Sequence, residues 1–215
     1  VVSADGSDIW DTGRVSSDTS HLVPYEGPAL RPRTRYRWAV TVWDDAGAAH
    51  SGKAWFETGL METARWKARW IEADRPDKGS LIPAAYMRTR FQIDKPVARA
   101  RLYATALGVY EAHINGQRVG ERVLAPGWTD YTARVQYQAY DVTSLVDEGA
   151  NALGAIVGDG WYAGTIGGAW VRKAHLRFGY RTRLRAELII DHPDGSATRV
   201  RTGPDWSFRT GPILM

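Results

Sequence analysis

Ala98-Arg99-Ala100-Arg101-Leu102-Tyr103-Ala104-Thr105-Ala106 alternates small or apolar residues with polar or bulkier ones along its whole length. Side chains of an extended chain point to opposite faces in turn, so the stretch predicts a β-strand with one face on a core. The same period recurs in Tyr36-Arg37-Trp38-Ala39-Val40-Thr41-Val42, with Trp38 on the parity assigned to the core, and in Arg183-Leu184-Arg185-Ala186-Glu187-Leu188-Ile189-Ile190. Further strands are predicted over 8–14, 21–25, 53–59, 86–93, 109–114, 135–142 and 153–157. Asp44-Asp45-Ala46-Gly47, Asn115-Gly116, Glu148-Gly149 and Asp194-Gly195 punctuate them. Asn-Gly and Asp-Gly tolerate the positive φ of tight hairpin turns. No long helical period is present, and a short turn near Glu62–Lys67 is the one helical expectation. Many short strands between turn signals predict an all-β chain built of sandwiches rather than βαβ units.

A boundary is expected near residue 60. Residues 1–59 read as the C-terminal part of an immunoglobulin- or fibronectin-like sandwich, since about four strands stand where a full module wants roughly seven. Residues 60–74 read as a connector, and residues 75–215 as a second, jelly-roll-like β-sandwich. The opening Val1-Val2-Ser3 reads as a cut inside a longer chain, with the missing strands upstream.

Composition narrows the function. The chain has 215 residues and no cysteine, which excludes thiol catalysis, disulfides and thiolate metal sites. No apolar run approaches the ~20 residues of a membrane span. The formal charge is +4, and only 5 of the 28 basic residues are lysine. The arginines sit singly on alternating strand positions, as on a solvated face, and no helix-turn-helix, zinc or RNP pattern accompanies them. A nucleic-acid partner is therefore not expected. The 5 histidines are scattered, without the short spacing of zinc ligands on a helix.

Two segments concentrate chemistry. Leu124-Ala125-Pro126-Gly127-Trp128-Thr129-Asp130-Tyr131 and Gly158-Asp159-Gly160-Trp161-Tyr162-Ala163-Gly164 place aromatic rings in glycine-containing loops beside an acid. Such sets suit sugar recognition, where rings stack on C–H faces and fixed polar groups take hydroxyls. The same rings also suit packing at the rim of a sandwich or at an interdomain seam, where Trp and Tyr commonly occur. The candidate carbohydrate-binding residues are Trp128, Asp130, Asp159, Trp161, Tyr162 and Glu111. Paired acids would make a glycosidase, but each has a structural alternative: Glu111 lies on the polar parity of its strand, and Asp141 is placed to cap the turn at Thr143. No catalytic pair is assigned.

The run Tyr103-Ala104-Thr105-Ala106-Leu107-Gly108-Val109-Tyr110-Glu111-Ala112-His113-Ile114-Asn115-Gly116-Gln117-Arg118-Val119-Gly120 resembles the N-terminal β-sandwich domain of bacterial α-L-rhamnosidases. The segments 124–131, 137–143 and 158–164 follow in that family's order. Phe56-Glu57-Thr58-Gly59-Leu60 and Trp66-Lys67-Ala68-Arg69-Trp70-Ile71 resemble its junction with a preceding immunoglobulin-like domain. The resemblance implies a noncatalytic accessory region. Its partners would be a downstream helical catalytic domain of the same polypeptide and a rhamnose-containing glycan. Some related domains bind rhamnose with calcium, which wants six to eight oxygen ligands. Asn115 and Asp159, with nearby carbonyls, are the implied donors, an incomplete set; no other cofactor is implied.

Overall fold

The structure is a computed structural model describing residues 1–4, 6–19, 21–62, 66–73, 83–164 and 178–213. It divides into two compact units, Val1–Trp66 and Lys67–Met215.

The first unit holds β1 (Val2–Ala4), β2 (Ser7–Trp10), β3 (Arg35–Trp43) and β4 (Ala49–Glu57) in one antiparallel sheet, ordered β2-β1-β3-β4. Tyr36 anchors a small core with Val2 and Ala4. Its ring stacks on Phe56 at 5.4 Å, and its hydroxyl accepts the Arg31 N–H at 2.7 Å. Beyond Tyr36 the expected core face of β3 is open. Trp38, Val40 and Val42 are 38%, 47% and 54% exposed, so assigning Trp38 to a strand core was incorrect. Alternation predicts which residues share a face; burial needs a second layer over that face. Residues 21–25 form no strand. The turn expected over Glu62–Lys67 falls partly outside the described residues.

The second unit is a two-layer sandwich. β6 (Ala85–Ile93), β8 (Val109–Ile114), β9 (Gln117–Arg118), β11 (Gly149–Gly158) and β14 (Ser207–Thr210) form one sheet, ordered β14-β6-β11-β8-β9. β7 (Arg99–Leu107), β10 (Gln138–Asp141), β12 (Arg183–Asp191) and β13 (Ala197–Arg201) form the other, ordered β10-β7-β12-β13. β5 (Ile71–Glu72) joins this second sheet on β12. The sandwich therefore begins inside the stretch 60–74, which reads as connector in the sequence.

The inner faces are those the alternation predicts. Ala100, Leu102, Ala104 and Ala106 of β7 meet Leu184, Ala186, Leu188 and Ile190 of β12. Met87, Ile114, Leu153 and Val157 close the core from the other sheet. Asp141 closes the turn at Thr143 through its side chain, as expected: its carboxylate accepts the Thr143 N–H at 3.1 Å and hydroxyl at 2.7 Å, just ahead of the 3-10 turn Thr143–Leu145. Those hydrogen bonds and Arg101, at 2.7 Å, hold the Asp141 carboxyl below its usual range against the opposing pull of burial.

Candidate functional site

The loop after β9 carries the first aromatic segment, and three bonds brace it. Tyr110 on β8 donates its backbone N–H to the Ala125 carbonyl at 2.8 Å. The Gln138 side chain donates to the Pro126 carbonyl at 3.1 Å and accepts the Tyr110 hydroxyl at 2.8 Å. Burial, reinforced by the neighbouring Tyr140 hydroxyl, pushes the Tyr110 phenol far above its usual range. It thus stays a protonated donor at any physiological pH. A buried, satisfied polar network of this kind fixes a loop's position more firmly than apolar packing alone.

Thus held, the loop projects Trp128 with 56% of its surface exposed. Trp128, Thr129, Asp130 and Phe178 line a cavity of about 430 Å³. Asp130 closes a local turn by accepting the Thr132 N–H at 3.0 Å and hydroxyl at 2.6 Å. Behind the cavity, Tyr131 packs edge-on against Tyr162 at 5.4 Å and Phe178 at 5.2 Å. Burial raises the Tyr131 phenol. The arrangement offers one indole face, a carboxylate and a hydroxyl in an open cavity, a set of groups that can hold a sugar ring.

The structure thus brings Trp128 and Asp130 together and separates the other candidates from them. Asp159 follows β11 and is buried, 5% exposed, in a narrow crevice with Pro83, Ala84 and Thr182. That burial sets it apart from the Trp128 cavity, whose lining it does not join. Tyr162 belongs to the supporting aromatic cluster: a side chain on Gly179 would collide with its hydroxyl, so the ring rests directly on that backbone. Trp161, in the short helix α1 (Gly160–Ala163), is partly exposed but lines no part of the Trp128 cavity. Glu111 faces outward from β8, engaged by His113 Nε2 at 2.8 Å and Arg118 Nε at 2.9 Å. Phe178 is the lining residue that sequence reading missed; it lies between Arg177 and the alternating Arg181, Arg183 and Arg185, with no motif to mark it.

The calcium donors do not fit one ion. The Asn115 amide is committed to structure: it donates to Leu145 O at 3.0 Å and Asn151 Oδ1 at 2.9 Å, and accepts the Ala152 N–H at 2.9 Å. Asp159 lies beyond the far end of β11, whose six steps from Ala152 to Gly158 span roughly 20 Å at an extended rise. Among the described residues no three or more His, Asp or Glu side chains converge on a cation position.

A four-stranded antiparallel sheet followed by a two-layer antiparallel sandwich with an aromatic loop beyond β9 defines the chain as an all-β protein. Residues 95–215 match the family described as the alpha-L-rhamnosidase N-terminal domain, and residues 1–62 match the Rha78A-like N-terminal immunoglobulin domain. The chain belongs to the α-L-rhamnosidase N-terminal domain family. It is 36% identical to an alpha-L-rhamnosidase of an Alteromonas species over 96% of this chain and 23% of the relative. It is 31% identical to that of Streptomyces avermitilis over 96% of this chain and 36% of the relative. The crystal structure of native Aspergillus terreus α-L-rhamnosidase superposes with a TM-score of 0.86 at 36% identity, covering 99% of this chain and 25% of that one. The chain therefore spans between about a quarter and about a third of its relatives' length.

Proposed function

We propose that this chain is the noncatalytic accessory region of an enzyme that hydrolyses terminal α-L-rhamnose from glycosides. In this reading a helical domain further along the same polypeptide carries out the hydrolysis, and the sandwich supports that domain and holds the rhamnose-containing glycan at the Trp128 loop. The observation that supports the sugar contact is the Trp128 cavity. A large aromatic face stands more than half exposed on a braced loop, with Asp130 beside it, where plain packing would have buried the ring.

Titration of the chain with L-rhamnose, followed by tryptophan fluorescence and by heat, tests the contact. A saturable response is expected, weakened at least about tenfold in Trp128→Ala, the size of effect that loss of one stacking contact of ~1.4 kcal/mol gives. Because Trp128 is exposed, the variant should melt within a few degrees of the parent. No response in the parent, or an equal one in the variant, contradicts the contact. In this reading the contact is made by the ring and polar groups alone, so added EDTA should leave the titration unchanged.

A further inference from the structure

The outer face of the sheet β14-β6-β11-β8-β9 carries a larger groove, of about 740 Å³, that shares no residue with the Trp128 cavity. Its floor follows from strand register. Gly154 of β11 lies opposite Arg88 of β6 on one side and His113 of β8 on the other. The next outward residue, Ile156, lies between Tyr86 and Glu111. With no side chain at Gly154, the sheet is lowest at its centre. One wall is Tyr86 and Arg88, extended by Ser207 and Arg209 of β14; the other is His113.

The charges on this face are uneven. Glu111 is engaged on both carboxylate oxygens, by a contact with His113 Nε2 on one and by the Arg118 guanidinium on the other. Arg88 and Arg209 are exposed, and neither has an acidic partner among the described residues. Guanidinium groups are charged at all physiological pH and present a planar fork that matches carboxylate and sulfate oxygens. Tyr86 adds a ring held in place on the backbone of Gly211, where a side chain would collide with it. A trough with an apolar floor, a fixed ring on one wall and two unpaired arginines fits an extended sugar chain bearing acidic groups.

We propose that this groove is a second carbohydrate site that takes an acidic oligosaccharide, carboxylate- or sulfate-bearing, through Arg88 and Arg209, independently of the Trp128 loop. The chain is titrated calorimetrically at low salt with three probes: trigalacturonic acid, a sulfated galactan tetrasaccharide and neutral maltotriose. At least one acidic probe should bind, more weakly as salt is raised, and maltotriose should not. Arg88→Glu/Arg209→Glu should lose at least about tenfold in affinity, and Arg88→Lys should fall between, since lysine keeps the charge without the fork. Circular dichroism of each variant should match the parent, because both arginines are exposed. Which acidic probe binds separates the carboxylate source from the sulfate source. Failure of both acidic probes, or undiminished binding in the double variant, overturns the proposal. So does a separately produced downstream part of the polypeptide that docks on the parent but not on the double variant, since the face is then an intramolecular contact. Trp128→Ala tests the loop and should leave the acidic titration as it is, so failure at one site is distinguishable from failure at the other.

Discussion

The two outer faces of the sandwich share one sequence signature and meet opposite fates. On β7 and β12 the polar parity is buried: Arg101, Tyr103, Thr105, Glu187 and Ile189 are all 5% exposed or less. Main chain lies over them. Lys67 donates its N–H to Glu187 at 3.2 Å, Arg185 donates to Ala68 O at 3.1 Å, and Thr105 donates its hydroxyl to Gln136 O at 2.5 Å. Glu187 answers its burial with Arg199 at 3.3 Å and Arg201 at 3.0 Å. On β6 and β8 the same parity, Arg88, Arg90, Glu111 and His113, is left exposed or half-exposed. Alternation therefore defines faces but not their covering, and the uncovered face is the one with room for a ligand.

The largest effect that sharpens this contrast is expected at Ile189, which stands on the nominally polar parity. Ile189→Ala should destabilise the second unit by about 2–5 kcal/mol, as loss of a fully buried aliphatic side chain does, measured by urea unfolding. A loss under 1 kcal/mol, on the order of a surface change, would mean that this outer face is not a true second core.

An intermediate effect is expected in acid. Burial alone would raise the Glu72 carboxyl, but hydrogen bonds from Arg181 at 2.9 Å and Arg183 at 2.8 Å outweigh it and hold it below its usual range. A carboxyl depressed in the folded state contributes stability above its unfolded value, about 4.3, and loses it as pH falls through the folded value. Stability should therefore drop below about pH 4, and Glu72→Gln should flatten that drop while lowering stability at neutral pH. An unchanged acid limb would show that the β5–β12 ion pairs are screened.

The smallest effect is expected on the open face. Arg88→Ala should change unfolding stability by no more than about 0.5 kcal/mol. A larger loss would show that the face is structural and would erase its contrast with β12.

Most strands were legible in the sequence because alternation is a local signal. Ala85–Ile93, Arg99–Leu107, Val109–Ile114 and Arg183–Asp191 stand within a residue or two of the predicted ranges. What was not legible depends on contacts far apart in the chain. β13 and β14 carry few apolar residues and exist because β12 and β6 offer them an edge. The exposure of Trp38 depends on the lack of a layer over its sheet among the described residues, which no period-two pattern encodes. Of the candidate site, Trp128 and Asp130 were readable as an aromatic beside an acid in a loop. The burial of Asp159 and the commitment of the Asn115 amide were not, because both follow from what packs against the ends of β11. The cationic groove was invisible for a further reason: Arg88, Gly154 and His113 come from three strands and meet only through register.

In the proposed reading, this chain serves hydrolysis without performing it. Incubating the purified 215-residue chain with an aryl α-L-rhamnoside, beside the full polypeptide it comes from, tests this most directly. Release of the aryl group by the full polypeptide alone is the predicted result; release by the chain itself, abolished by substitution of one of its own acids, would contradict it.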